Sequence, residues 1–158
     1  MILDSTLRKI QVVLAAAKAT LDMSITVDYV DMTTTATIGG TYTSSSNGVT
    51  SVDILPAPAA STQRKVNRIN IYNRDTAEKT ISVSISDSGV LYPEVDVTLA
   101  VDDTLQYTDM NGWRVIDRTG SIKTATATSL TTSFTANIDG GNASSNYTSV
   151  VKVDGGGA

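Results

Sequence analysis

The chain has 158 residues, 41% of them hydrophobic, a formal charge of −4, and neither cysteine nor histidine. That length suits one ordinary domain, alone or with an appendage. The missing residue types exclude disulfides, thiolate metal sites and every nucleophile–imidazole pair, and the acidic balance leaves no basic excess to neutralise nucleic-acid phosphates.

No apolar run approaches the roughly 18 residues of a membrane-spanning helix. The opening MILDSTLRK carries an Asp where a secretion signal has positive charge, and Lys18 breaks the apolar stretch behind it. Folding in a cytoplasm is therefore expected. With 24 Thr, 17 Ser, one Phe and one Trp, the chain favours pleated strands and turns around an aliphatic core.

Residues 4–21 read as an α-helix capped by Asp4 or Ser5. Leu3, Leu7, Ile10, Leu14, Ala17 and Leu21 recur at alternating spacings of four and three, the pattern of a packing seam. Segment 1–22 is thus expected to be an N-terminal helix, lying on its own domain or anchoring and oligomerising on other subunits. Its candidate contact residues are Leu7, Ile10, Leu14, Ala17 and Leu21.

From residue 23 to 118 the period changes to two. Ile25, Val27 and Tyr29 begin a strand expected to continue through the threonines of 33–37, with Gly39-Gly40 and Ser44–Gly48 as breaks. Val52 and Ile54 precede Pro56 and Pro58, and Val66, Ile69 and Ile71 lead to Tyr72. After a turn over 73–78 come Ile81, Val83 and Ile85. Val95, Val97, Leu99 and Val101 follow, with Pro93 at their start. Leu105 and Tyr107 are joined to Trp113 and Val115 through Asn111-Gly112, the strongest hairpin signal in the chain. Short strands separated by frequent turns indicate an all-β fold, an antiparallel β-sandwich or jelly-roll-like domain.

Residues 119–158 read as an extended C-terminal β-arm. Leu130, Thr132, Phe134, Ala136 and Ile138 alternate, as do Tyr147, Ser149, Val151 and Val153. Phe134, Ile138, Tyr147, Val151 and Val153 are the arm's candidate contacts. Asp-Gly-Gly occurs twice, at 139–141 and 154–156. Two copies without the flanking residues of a calcium-binding repeat favour tight turns over a metal site. Two strands alone are not stable, so they are expected to add to the sandwich or to another chain.

Arg64, Lys65, Arg68 and Arg74 form a basic cluster, with Arg64 and Arg68 expected on one strand face. They suit either a solvated face or docking on an acidic partner. The carboxylate pairs, such as Glu94 with Asp96, come without aromatic platforms for a sugar, and no catalytic, cofactor or metal residue is assigned. No enzymatic activity is expected.

Three runs carry a resemblance: LRKIQVVLAAAKATLDMSITVDYVD, PAPAASTQRKVNRINIYNRDTAEKTISVSI and LAVDDTLQYTDMNGWRVID, followed by the ending IDGGNASSNYTSVVKVDGGGA. Together they resemble small structural proteins of tailed bacteriophages. The resemblance implies a virion component, foremost a capsid decoration or cement protein. Such a protein would form a homotrimer, bind the major capsid protein or other virion proteins at the capsid surface, and take no small-molecule substrate. A tail, neck or fibre component, with adhesion to the host as one such role, is the alternative it implies.

Overall fold

The structure, a computed structural model, describes residues 1–123. Aliphatic alternation produces strands throughout. In chain order these are β1 (Ile2–Leu3), β2 (Arg8–Leu14), β3 (Ser24–Met32), β4 (Thr37–Ser45), β5 (Val52–Leu55) and β6 (Gln63–Tyr72). They are followed by β7 (Lys79–Asp87), β8 (Val90–Leu99), β9 (Thr104–Thr108), β10 (Gly112–Ile116) and β11 (Ile122–Lys123). All pairings are antiparallel and make two sheets. The larger runs β11-β10-β9-β6-β3-β4, with β1 also on β6, and the smaller runs β5-β2-β7-β8.

Both sheets feed one apolar cluster. The larger contributes Leu3, Ile25, Val27, Val66, Ile69, Ile71 and Leu105; the smaller contributes Ile10, Val12, Leu14, Ile54, Leu55, Ile81, Val83 and Leu99. Alternation of side chains along each strand, with bulges at Ile54 and Asn67 where it is interrupted, brings these residues to one face of each sheet.

The expected N-terminal helix is corrected by the structure. No residue between 4 and 21 is helical, and Arg8–Leu14 is the central strand β2, between β5 and β7. The sequence RKIQVVL satisfies both periods: Ile10 and Leu14 are one helical turn apart, yet Ile10, Val12 and Leu14 also alternate. Lateral pairing of Ile10 with Ile85, Val12 with Val83 and Leu14 with Ile81 settles the choice. A strand buries all three, whereas a helix would leave β7 without its neighbour.

The alanines that follow are held extended by tertiary bonds. Ala15 N–H donates to the Thr80 carbonyl, and Lys79 Nζ to the Ala17 carbonyl at 2.7 Å. The backbone N–H groups of Ala19, Thr20 and Leu21 all donate to the Asp75 carboxylate. Local helix propensity, a few tenths of a kcal/mol per residue, is overridden by these contacts.

Three smaller expectations also change. The strand through the Thr cluster ends at Met32, and Thr33 caps the turn by donating to the Ala36 carbonyl. Gly39 and Gly40 lie inside β4 and do not break it. A Cβ on Gly40 would sit 2.7 Å from the Tyr29 ring, so glycine there makes room for the tyrosine. Pro93 lies within β8, where Val83 pairs with Val95 but Ser84 pairs with Pro93; the extra residue Glu94 forms a bulge.

Met1–Thr124 forms one compact unit, so segment 1–22 shares the core of the strands that follow it. Ile122–Lys123 pairs with β10, which ties the start of the expected arm into the larger sheet. The arm contacts Phe134, Ile138, Tyr147, Val151 and Val153, and both Asp-Gly-Gly repeats, lie outside the described residues.

Candidate interaction surface

A binding surface is recognised by apolar side chains that the fold presents and leaves uncovered. The hairpin between β7 and β8 does this. Ser88 and Gly89 both have positive φ, 53° and 85°, which matches the tight two-residue turn whose twist suits paired strands. Immediately after it Val90, Leu91 and Tyr92 are 56%, 54% and 55% exposed. Val90 is paired with Asp87 and Tyr92 with Ile85, so both face the side that carries the core further along the sheet. Leu91 points to the opposite side.

Ile2, from the larger sheet, joins Ile85 and Tyr92 around a depression of about 340 Å³, with Arg8 and Asp87 on its wall. Arg8 donates to Asp87 through Nε at 3.0 Å and Nη2 at 2.6 Å, and through Nη1 to Asp4 at 2.6 Å. The bond to Asp87 raises the guanidinium pKa, and the same bond holds the Asp87 carboxyl below its ordinary value. A charged pair beside Ile2, Ile85 and Tyr92, with Val90 next to it on the same face, has the make-up of a protein contact, in which apolar anchors would supply affinity and the Arg–Asp pair orientation.

The residues singled out from sequence do not assemble into a site. Ile10 and Leu14 are fully covered by the chain's own core. Leu7 is 59% exposed and Leu21 47%, in turns on either side of β2. Ala17 is exposed as well, in the loop that Lys79 holds. No common stripe joins them, because the helix that would have aligned them is absent.

The basic cluster is likewise dispersed, and its expected shared face is corrected. Asp28 pairs with Arg68 but Tyr29 pairs with Val66, so Asn67 is an extra residue in β6. This bulge turns Arg64 to the core side and leaves Lys65 and Arg68 on the outer side. Arg64 is 8% exposed, grips Asp31 through Nε and Nη2 at 2.7 Å each, donates to the Pro56 carbonyl, and lies 4.2 Å above the Tyr29 ring. Its pKa is raised chiefly by the bond to Asp31. Lys65 meets Asp109 at 2.7 Å and Arg68 meets Asp28 at 2.6 Å. Arg74 donates to the Asp22 carbonyl. Each cation already has an acceptor within the chain.

This geometry yields a direct test. Arg64→Ala removes one member of a nearly buried bidentate pair and strands Asp31, which is expected to destabilise the fold by about 3 kcal/mol. Arg68→Ala, at a half-exposed pair, is expected to cost under about 1 kcal/mol. Urea unfolding midpoints read the difference; equal effects would contradict the assignment of Arg64 to the core side.

The hairpin tip was not among the contact residues expected from the sequence. Its signal was present: Val90-Leu91-Tyr92 is an unbroken apolar run in a strand, and an unbroken run must put a large side chain on each face. A second depression, of about 620 Å³, is lined by Tyr72, Asp102, Thr104 and the turn Asp117–Gly120. There Tyr72 Oη donates to Asp102, and Asp117 accepts from the Thr119 hydroxyl and from the N–H groups of Ser121 and Thr119, which together keep its carboxyl below the ordinary range. Those bonds close a turn. Among the described residues, no group of three acidic side chains is arranged to hold a metal ion.

No protein family, curated protein or solved structure matches the chain.

Proposed function

We propose that this chain is a structural protein of a tailed-phage virion, foremost a decoration or cement protein that binds and stabilises the shell of the major capsid protein. The observation that carries the reading is the exposed apolar tip of a tightly turned hairpin, with Val90 and Tyr92 beside Ile2 on one face and Leu91 on the other. The fold behind it is, in this reading, a β-sandwich with its two sheets stacked face to face. Such a module is rigid, and rigidity lowers the entropic cost of docking.

Anchors of this size contribute roughly 1.5–3 kcal/mol each when fully covered. Modest contacts repeated around a closed ring, three-fold by the resemblance, add through avidity. Residues 119–158 are assigned the role of an arm reaching a neighbouring chain, on the alternation in their sequence. The site of action is the capsid surface, reached after folding in the host cytoplasm.

Two measurements test this. Purified virions should carry hundreds of copies; a dozen or fewer would place the protein in the tail or neck. The triple variant Val90→Ser, Leu91→Ser, Tyr92→Ser should lower the particle-bound fraction at least ~10-fold, equivalent to about 1.4 kcal/mol or more. Its melting temperature should stay close to that of the parent, because all three side chains are already half in water. Undiminished loading would remove the patch from the interface.

A further inference from the structure

Four strands end the two sheets, and three are poor templates for another strand. β8 carries Pro93, a bulge at Glu94 and the charge of Asp96. β5 has four residues, one of them Asp53, and runs into Pro56. β11 has two residues, one of them Lys123. Prolines, charges, bulges and shortness are the devices by which sheets protect their edges.

β4 has none of them. Its nine residues, TIGGTYTSS, contain no charge and no proline. Nine consecutive partners on β3, from Ser24–Ser45 to Met32–Thr37, run without a register shift. Its other side pairs with no strand among the described residues. Thr37, Ile38, Gly39, Thr41, Thr43 and Ser45 are all exposed, Ile38 at 62%.

From this edge we propose that β4 pairs antiparallel with β4 of a second copy, across a two-fold axis at Thr41. In such a pair a charge close to the axis would face its own twin, and one farther out would need an opposite charge across from it; β4 is neutral along its whole length. The axis at Thr41 sets threonine against threonine, a favourable cross-strand pair. It also places Gly40, over which Tyr29 of the same chain already lies, opposite Tyr42 of the second copy, so that the two aromatic rings come side by side on one face. Ile38 then lies opposite Ser44 of the second copy, beside that tyrosine, and loses much of its exposure. This contact stands apart from the virion reading. Combined with a three-fold ring, it joins rings in pairs.

Cysteine is absent from the chain, so single cysteines report proximity without background. The full-length protein with Thr41→Cys should convert mostly to a disulfide-linked dimer under mild oxidation at micromolar concentration. Thr37→Cys and Ser45→Cys should each remain unlinked alone, yet cross-link to one another when mixed. The parent should have a mass that is an even multiple of 16.6 kDa. T41K/T43K, whose side chains face away from the core, should weaken self-association at least tenfold with the melting temperature held within a few degrees. A parent mass of one or three chains would overturn the pairing, as would Thr41→Cys linking no faster than Thr98→Cys on β8. Dimers that fail to load onto particles would remove the virion reading alone; loaded particles with unlinked Thr41→Cys would remove the edge pairing alone.

Discussion

Asp75→Ala is expected to lower the melting temperature by roughly 10 °C or more, a large effect for a domain of this size. Asp75 is 1% exposed and sits in the turn between β6 and β7. Its Oδ2 accepts from Ala19 N–H at 2.7 Å, and its Oδ1 from Thr20, Leu21 and Thr76 at 2.7, 3.2 and 2.8 Å. Lys79 Nζ lies 3.4 Å away and completes the set. Alanine would leave several backbone donors without their acceptor at once and would leave the nearly buried Lys79 ammonium with the Ala17 carbonyl but no counter-charge, and unmade buried bonds cost more than made ones contribute. Asp75→Asn should be nearly as harmful, because its amide NH₂ would face N–H donors. Asp96→Ala, on the exposed side of β8, is the control and should change little.

The same site gives a pH signature. Burial pushes the Asp75 carboxyl upward, but four backbone donors together outweigh it, so the pKa falls below the usual carboxylate range. A folded-state pKa below the unfolded value near ~3.9 stabilises the fold above that pH, and the stabilisation is lost as pH falls toward the folded value. The difference in melting temperature between parent and Asp75→Asn should therefore be full at neutral pH and shrink below about pH 4. Asp87, Asp109 and Asp117 have lowered values too and act in the same direction, but they are common to both proteins and cancel in the difference. A difference that stays constant down to pH 2.5 would show that the carboxylate charge is not what holds residues 19–21.

The strands from β3 to β10, β4 excepted, were largely legible because alternation of aliphatic residues survives in one dimension. Val66, Ile69 and Ile71 marked β6, and Asn111-Gly112 marked the turn between β9 and β10. What failed were features decided by a neighbouring strand. The segment Arg8–Leu14 fits a helix through Ile10 and Leu14 as well as a strand through Ile10, Val12 and Leu14, and only β7 and β5 on either side make the strand the better burial. The bulge at Asn67 is invisible in the residue types, yet it decides that Arg64 and Arg68 face opposite ways. Gly39-Gly40 read as a break because the signal of glycine is its backbone freedom, whereas at Gly40 the cause is the Tyr29 ring. The apolar tip of the β7–β8 hairpin was hidden for a related reason. A run such as Val90-Leu91-Tyr92 implies exposure only once it is known that no second layer covers it.

The segment around β2 offers the sharpest discrimination between the two readings of the N-terminus. Were it a helical seam, aspartate at Leu7, Ile10 or Leu14 would act alike, weakening assembly and sparing the fold. As a central strand, it makes the positions unequal. Ile10 is wholly buried between Leu55 and Ile85, so Ile10→Asp would lose roughly 1.5–3 kcal/mol of apolar burial and add a charge with no partner. That sum rivals the 5–15 kcal/mol that holds a typical domain together. The variant is expected to be unfolded at 25 °C, with no cooperative thermal transition and no dispersed methyl resonances. Leu14→Asp should behave the same way. Leu7→Asp, at a turn position already 59% in water, should fold with a shift of under about 1 kcal/mol. A well-folded Ile10→Asp protein that merely failed to assemble would reject β2 as a core strand. It would also free the N-terminal residues to contact other chains.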